Sequence, residues 1–520
     1  MSAPQPAHKP VLPFAPPPAP PPAYDALETR FRRLHALREA AAVLHWDMSA
    51  MMPAGGAAAR TEQLAALDVV CHELLTDPAM GDLFDRAESE AGGLEPWRAA
   101  NLREMRREWL HATALDAELV EALSRACKRC EFAWREARPA SDFAAALPPL
   151  KALLGLVRQA AAAKSETLGL TPYDALLDEY EPGGRSARID EVFAPLEAFL
   201  PGFLEQVLAK QARAGAPLRP QGPFPRRKQE KLGRRLMKVV GFDFDYGRLD
   251  VSLHPFCGGV PDDVRITTRY DEADFMKALM GVLHETGHAM YERGLPSSWR
   301  LQPVGEARGM ALHESQSLLV EMQACRSAEF IGFAAPLLRE TFCGAGDKGG
   351  PAWETANLAR LYNRVEPGFI RVDADEVTYP AHVILRYRLE KAMIRGALEP
   401  DDLPGAWNEG MQTLLGIVPP DDRHGCLQDI HWYDGAWGYF PTYTLGAMAA
   451  AQLFAAAVTA VPSIPAALAK GDFRPLMAWL KENVHARASF LTTDELLTEA
   501  TGRPLDPQVF MDHLRVRYLG

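Results

Sequence analysis

Long amphipathic segments follow one another through almost the whole chain from Tyr24 onward, and this pattern limits the possible folds more than any other feature. Leu27 to His45 and Phe143 to Leu168 repeat apolar residues with the helical period, and connections rich in Pro and Gly, such as residues 181–184, separate such segments. Plentiful Ala, Leu, Glu and Arg favour helix as well. The sequence therefore predicts an all-α, predominantly helical fold with one small β element.

Alternation of apolar and polar residues is convincing in one place, from Asp263 to Tyr270. Val264, Ile266 and Thr268 face one way there, and the residues between them face the other. We predict an edge strand, whose unpaired N–H and C=O groups could hold an extended peptide. A short strand with a purely structural role is the alternative.

The first 22 residues hold ten prolines and a single charged residue, Lys9. Proline lacks a backbone N–H and interrupts helices, so residues 1–23 are predicted to form a disordered tail. No basic segment precedes an apolar one there, so the tail does not resemble a secretory signal and a cytoplasmic protein is expected. Residues 24–520 contain no fixed-period repeat and no similar linker, which predicts a single large helical domain.

The net charge, the longest apolar run and the cysteines indicate which partners and which compartment to expect. A formal net charge of -12 argues against nucleic acid, because binding a polyanion requires a concentrated positive face. The longest apolar run, Tyr443 to Val461, is mostly alanine and contains Gln452, so a buried helix is predicted rather than a membrane span. The seven scattered cysteines fit a reducing compartment better than a disulfide framework.

The pattern HExxH occurs once, at His284, Glu285 and His288, within a segment of helical length. Two histidines four residues apart lie on one helical face about one turn apart, which suits a single Zn²⁺ ion. Glu285 flanks this position and could take a proton from zinc-bound water as a general base. The surrounding residues are mostly apolar, and burying these three side chains without a metal or polar partners would be costly.

A third ligand is needed, and the segment HESQ at residues 313–316 supplies candidates. We choose Glu314, because two histidines from one helix and a glutamate from the next leave a fourth position open to water. Such a site holds one zinc ion per chain. His313 is the alternative ligand, and otherwise a neighbour of the site or a substrate contact.

The motifs HETGH at residues 284–288 and HESQ at 313–316 resemble those of the carboxypeptidase Taq family of zinc metallocarboxypeptidases. Further blocks fit the same family, in the family's order, over roughly residues 28 to 516. They are Trp46-Asp47, Met52-Pro53, HELLTDP at 72–78, HPF at 254–256, DVRIT at 263–267, IRVDAD at 370–375, GCLQDIHW at 425–432 and YFPTY at 439–443.

This resemblance implies a saddle-like helical body with a deep groove, a homodimer, and release of single residues from the C-termini of peptides with broad specificity. It also implies zinc as the metal, with cobalt often able to substitute. Peptides with a free C-terminus are thus the expected partners, and the β element is expected near the active site.

Arg371 is the candidate for binding the substrate's free carboxylate, because a planar guanidinium offers two parallel donors. A salt bridge to Asp373 or Asp375 is the structural alternative. By the resemblance, His431 and Tyr443 lie where the family binds the substrate carboxylate or polarises the scissile carbonyl. Core packing is the alternative for Tyr443.

Two other functions fit the same motifs. A zinc oligopeptidase that cleaves inside short peptides would use the same ligands and base. A catalytically inactive helical scaffold that binds zinc is the second alternative, but a scaffold has no need of a base such as Glu285 beside its metal. Blocking the C-terminus of a peptide separates the first alternative from a carboxypeptidase.

Overall fold

The computed structural model describes residues 21–344, 346 and 349–520. Residues 1–20 of the predicted tail lie outside these described residues, and the first helix begins at Pro22. Proline suits that first helical position because its fixed φ is already helical and its missing N–H would have had no partner.

The described part of the chain consists mostly of α-helices, with one small sheet and several short 3₁₀ turns. In chain order the helices are α1 (Pro22–Ala50), α2 (Ala57–Leu75), α3 (Ala79–Ser89), α4 (Pro96–Thr113), α5 (Ala117–Ala140), α6 (Phe143–Leu168), α7 (Pro172–Tyr180), α8 (Ser186–Ala214), α9 (Arg226–Val240), α10 (Phe275–Gly294), α11 (Met310–Leu318), α12 (Ala328–Cys343), α13 (Thr355–Tyr362), α14 (Tyr379–Arg395), α15 (Leu403–Leu415), α16 (His431–Asp434), α17 (Pro441–Ala460), α18 (Ile464–Leu468), α19 (Arg474–Asn483), α20 (Thr493–Thr501) and α21 (Pro507–Leu519), and the strands are β1 (Gly247–Val251), β2 (Phe256–Val260) and β3 (Asp263–Thr268).

A continuous hydrophobic core holds these helices together. It runs from Cys130 in α5 to Tyr518 in α21 and includes the buried faces of the long helices between them. A smaller cluster joins α1, α3, α4 and the last residue of α2. The predicted all-α fold, a single large helical domain with a small β element, is confirmed.

The sheet corrects one prediction. Strand β3 lies in the centre of the order β1-β3-β2, parallel to β1 and antiparallel to β2. The segment beginning at Asp263 is therefore not an edge strand, because both of its sides are paired. Alternation indicates which face of a strand is buried, but it does not indicate how many neighbours the strand has. The exposed edges of the sheet belong to β1 and β2.

Helix α10 lies between this sheet and the helical core. Asp274 caps its first turn by accepting a hydrogen bond from the N–H of Met276 at 2.9 Å. Val282 on one side of α10 packs against Val264 and Ile266 of β3. The opposite side enters the main core, which explains why α10 is apolar nearly all round.

Helix α17 contains most of the long apolar run. It packs against α11 and α14, with Leu445, Met448 and Leu453 buried, so the prediction of a buried helix is confirmed. By length and composition alone, α17 and α8 would each be able to cross a membrane. The core helices of large proteins pass the same test, and the buried side chains of α17 account for its apolar composition.

Candidate metal centre and substrate pocket

The three predicted metal ligands lie together. One ligand atom from each of His284, His288 and Glu314 falls within 4.8 Å of the others. The Nε2 atoms of the two histidines lie 3.9 and 3.5 Å from Oε2 of Glu314. Two imidazoles and one carboxylate are the donor set of a hydrolytic zinc site that keeps a fourth position open. These residues therefore fit a single zinc ion.

Two glycines allow the helices of this cluster to approach closely. A Cβ atom at Gly287 of α10 would lie 2.5 Å from the carbonyl oxygen of Gln316 in α11. A Cβ atom at Gly446 of α17 would lie 2.8 Å from Cβ of Glu314. Helix α11 is thus held between α10 and α17 at contacts that no larger residue permits without movement. This close approach brings Glu314 to the two histidines of α10.

The carboxylates around His284 create a site that attracts a cation. Burial opposes protonation of His284, but the carboxylates of Glu314 and Glu321 outweigh it and raise its pKa to about 10. Burial raises the pKa of Glu314, but the positive charge on His284 and a hydrogen bond with His288 lower it to about 2. In the absence of a metal, a proton supplies the positive charge that these carboxylates attract.

Glu285 lies on α10 directly after the first ligand and is 7% exposed. Burial raises its pKa to about 7, and the charge of Glu314 adds to the shift while that of His284 opposes it. A carboxyl group whose pKa lies near neutrality can both accept and return a proton. This environment suits the role of general base predicted for it.

His313 lies beside the cluster without joining it. Its ring stacks on that of His288 at 4.5 Å, and its Nε2 lies 2.9 Å from Oε1 of Glu292. The alternative ligand is thus engaged with a different carboxylate, in a position next to the metal ligands.

Arg371 is buried, with 5% of its surface exposed, and it pairs with a residue that the sequence did not indicate. Its Nη2 lies 2.8 Å and its Nε 3.2 Å from Oδ1 of Asp429. Asp373 pairs instead with Lys277, and Asp375 accepts hydrogen bonds from backbone N–H groups. The predicted structural alternatives for Arg371 are therefore not the partners that the structure has.

A second buried arginine shares the same carboxylate. Nε of Arg386 lies 2.6 Å from Oδ2 of Asp429, and its side chain is fully buried. Burial lowers the pKa of Arg386 to about 10 even though Asp429 favours the charged form. We call Arg371, Arg386 and Asp429 the carboxylate pocket. Its two guanidinium groups and one carboxylate leave an excess positive charge.

His431 and Tyr443 connect this pocket to the metal ligands. Nε2 of His431 lies 3.2 Å from the hydroxyl of Tyr443, whose ring lies 4.8 Å from the guanidinium carbon of Arg371. Burial raises the pKa of Tyr443 to about 12, with Arg371 opposing and the charge of Glu314 adding to the shift. Burial lowers the pKa of His431 to about 4, so this imidazole is neutral at physiological pH. The two predicted substrate residues thus contact each other, and Tyr443 lies beside Arg371 and close enough to Glu314 for that carboxylate to affect its pKa.

Several residues at the site escaped the sequence analysis. Asp429 and Arg386 hold Arg371, Tyr379 accepts a hydrogen bond from its Nη1 at 3.2 Å, and Glu321 contacts His284. Glu321 follows Glu314 by seven residues, close to two helical turns, and this spacing is a signal that could have identified it. Asp429 stood within the quoted block GCLQDIHW, but nothing in the sequence paired it with arginines 58 and 43 residues away.

A cavity with a volume of about 530 Å³ opens beside the metal ligands. His313 and Glu292 line one end of it, helix α1 lines another side, and Cys257 to Val260 of β2 form part of its wall. The outer edge of the sheet at this cavity is therefore β2. An extended peptide was predicted to pair with the main chain of the segment beginning at Asp263. Since that segment is the central strand, a peptide would have to pair with β2 instead.

Comparison with known proteins gives a consistent result over nearly the whole chain. A family model described as carboxypeptidase Taq (M32) metallopeptidase matches residues 26–518. The chain is 37% identical over 510 residues to thermostable carboxypeptidase 1 of Thermus thermophilus, covering 95% of this chain and 98% of that protein. It is 34% identical over 496 residues to carboxypeptidase 1 of Bacillus subtilis, covering 94% and 96%.

The fold is similar to solved structures as well. Metallocarboxypeptidase 1 of Trypanosoma cruzi is 44% identical and superposes with a TM-score of 0.93, covering 96% of this chain and 99% of that one. The M32 carboxypeptidase from Deinococcus radiodurans is 36% identical with a TM-score of 0.90, covering 95% and 98%.

Proposed function

The chain belongs to the carboxypeptidase Taq (M32) metallopeptidase family, and on this premise we propose that it is a zinc-dependent carboxypeptidase of broad specificity. It would release single amino acids from the free C-termini of peptides. The observation that carries the proposal is the buried excess positive charge at Arg371 and Arg386, together with Tyr443, which lies beside Arg371 and is affected by the charge of the proposed metal ligand Glu314. A peptide's terminal carboxylate has the charge that this pocket lacks.

The geometry of Arg371 supports this role. Asp429 occupies one edge of its guanidinium group, the edge formed by Nε and Nη2. The end formed by Nη1 and Nη2 still carries N–H groups, one of which donates to the hydroxyl of Tyr379. A carboxylate can receive parallel hydrogen bonds at such an end, and this planar recognition distinguishes arginine from lysine.

His284, His288 and Glu314 would hold the zinc ion. When bound there, zinc would polarise the carbonyl group of the scissile bond and acidify a water molecule. Glu285 would take the proton from that water and deliver it to the leaving amine.

Tyr443 and His431 would act on the scissile carbonyl. With Nε2–H of His431 donating to the Tyr443 hydroxyl, that hydroxyl would keep its own proton available to donate to the oxygen on which negative charge develops. The terminal residue of the peptide would then lie between Arg371 and the metal, and the chain upstream of it would extend along the cavity beside β2. Contacts to main-chain atoms of β2 would read no side chains, which suits broad specificity.

Digestion of one defined peptide with mass detection over time tests the proposal. The expected result is a ladder that shortens one residue at a time from the C-terminus, stops on chelation, and resumes when Zn²⁺ is added. Metal analysis should find about one zinc per chain, and cobalt is expected to restore activity as the family resemblance implies. Internal fragments appearing first would favour the oligopeptidase alternative, and zinc binding without any cleavage would favour the inactive scaffold.

We further propose that the protein acts as a homodimer in the cytoplasm. The family resemblance supports the dimer. The free thiols of Cys130, Cys325 and Cys426, all buried, suit a reducing compartment. Light scattering would give the mass in solution, and a mass near 57.2 kDa rather than twice that value would contradict the dimer.

A further inference from the structure

The two histidines of the metal centre have different surroundings on the side away from the metal. Nδ1 of His284 lies 3.0 Å from Oε2 of Glu321. Nδ1 of His288 is buried and has no hydrogen-bond partner among the described residues. Both histidines turn Nε2 toward Glu314, so Nδ1 of each ring is the nitrogen that is left for a supporting contact. Only His284 of the two receives that contact from a carboxylate in the described part of the chain.

Glu321 also accepts a hydrogen bond from Arg326, on the side away from His284. Its Oε1 accepts a hydrogen bond from Nη2 of Arg326 at 2.6 Å, and the two side chains are only 11% and 16% exposed. Nη1 of Arg326 donates to the carbonyl oxygen of Tyr362 at the end of α13. A line of contacts therefore runs from α13 through Arg326 and Glu321 to His284, and it fixes the orientation of the carboxylate.

The backbone around Glu321 has an unusual geometry. Helix α11 ends at Leu318, and the chain continues as a π-helix from Leu319 to Cys325. Such stretches are rare and occur frequently at functional sites. Glu314 and Glu321 project from consecutive parts of this segment toward the same histidine, one at each of its ring nitrogens.

We propose that Glu321, supported by Arg326, is a positioning residue that fixes His284 as a metal ligand. The inference rests on the proposed zinc site. With Nδ1–H donating to Glu321, the lone pair of Nε2 points to the cluster, so the ring is held in the tautomer and orientation that bind metal. The carboxylate also makes Nε2 a stronger donor to the metal. Arg326 compensates the charge of Glu321, which would otherwise be buried without a cation.

The alternative is that Glu321 and Arg326 form a structural ion pair that happens to lie near His284. Both roles predict that removing the pair destabilises the protein. Only the positioning role predicts a weaker hold on zinc in protein that remains folded. Zinc affinity therefore separates the two, and it does so without any measurement of peptide cleavage.

The experiment measures the Kd of the full-length protein for Zn²⁺ by competition with a chromophoric chelator. Glu321→Ala should raise that Kd by about 10- to 100-fold, the usual effect of removing a carboxylate behind a ligating histidine. Glu321→Gln should lie between this variant and the wild type, because its amide oxygen can still accept from Nδ1–H although the negative charge is lost. Thermal unfolding of each metal-free variant shows whether it is folded.

Glu292→Gln is the matched control. Glu292 also contacts a histidine at 2.9 Å, but that histidine is His313, which lies outside the ligand cluster. Its Kd for Zn²⁺ should stay within about twofold of the wild type. A Glu321→Ala protein that is folded and binds zinc as tightly as the wild type, or equal losses in the Glu321 and Glu292 variants, would overturn the inference and leave the proposed function intact. A wild-type protein that binds no zinc would overturn both.

Discussion

The metal centre and the carboxylate pocket are both buried and both influence Tyr443, but their charges are opposite. Around His284, the carboxylates of Glu314 and Glu321 dominate and attract a cation. Around Asp429, the guanidinium groups of Arg371 and Arg386 dominate and leave a positive excess. Each region therefore has a buried charge that no neighbouring side chain among the described residues balances. The protein thus buries two unbalanced sets of charges, one suited to a metal ion and the other to the end of a peptide.

The largest effect is expected at the metal centre. Glu285→Gln keeps the shape of the side chain but removes the base, so turnover should fall by at least about 10²- to 10⁴-fold while zinc remains bound. Glu314→Ala should instead lose zinc, since it removes a ligand. Steady-state kinetics and metal analysis of both variants provide the check. If the first variant lost its metal and the second kept it, the assignments of base and ligand would be wrong.

In the carboxylate pocket, Asp429→Asn should cost the most stability. The variant leaves two buried guanidinium groups without a counter-charge, and breaking a buried ion pair on one side typically costs about 3–5 kcal/mol. Denaturant unfolding at constant zinc gives the comparison with the wild type. Asp373→Asn is the control, because Asp373 pairs with Lys277 on the surface, where both side chains are more than half exposed, and its loss should change little. Equal stability of Asp429→Asn and wild type would contradict the role of Asp429 as the counter-charge of the two buried arginines.

Arg371→Lys tests recognition in the same pocket with a smaller expected effect. Lysine keeps the charge but loses the planar pair of donors, so kcat/KM on peptides with a free C-terminus should fall by about 10- to 100-fold. On the same peptides with an amidated C-terminus, which we expect the wild type to cut slowly, the loss should shrink, because the amide does not use that pair. An identical loss on both substrates would show that Arg371 has a structural role only.

The smallest effect concerns the support behind His431. Glu390 is fully buried and accepts hydrogen bonds from Tyr173 and from Trp432, the neighbour of His431. Burial raises its pKa from 4.5 to about 7. The folded protein thus holds this proton more tightly than the unfolded chain does, so stability falls as pH rises from about 4.5 to about 7 and then levels off.

Glu390→Gln removes that dependence. The Tm of the variant minus that of the wild type should therefore increase by a few degrees between about pH 5 and about pH 8. Thermal unfolding of both proteins across this range is the measurement. A difference that does not vary with pH would contradict the raised pKa of Glu390.

The two regions also differ in how much of them the sequence predicts. The metal centre follows from local spacing, because His284 and His288 are one helical turn apart and Glu314 lies in the next α-helix. The carboxylate pocket depends on contacts between distant segments, such as that of Arg371 with Asp429, which no periodicity indicates. Sequence analysis identified the arginine but proposed nearby partners that the structure does not use.

The fold shows the same division. Helical periodicity and proline or glycine connections predicted the all-α domain correctly, because helices depend on local hydrogen bonds and on one apolar face. The strand beginning at Asp263 was wrongly predicted to lie at an edge, because its two neighbours, β1 and β2, are short and contain Gly247, Gly258 and Gly259, which weaken any strand pattern.

Recognition of a free C-terminus at Arg371 is tested most directly with one peptide in two forms, one with a free and one with an amidated C-terminus. Both forms are digested by the zinc-loaded protein. We expect the peptide with a free C-terminus to be shortened one residue at a time from that end. The amide should be cut about 10- to 100-fold more slowly, because a neutral terminus forfeits a charge-assisted pair worth about 1.5 to 3 kcal/mol. Equal rates on the two forms, or internal fragments as the first products, would contradict the claim that the positive pocket at Arg371 recognises the end of a peptide.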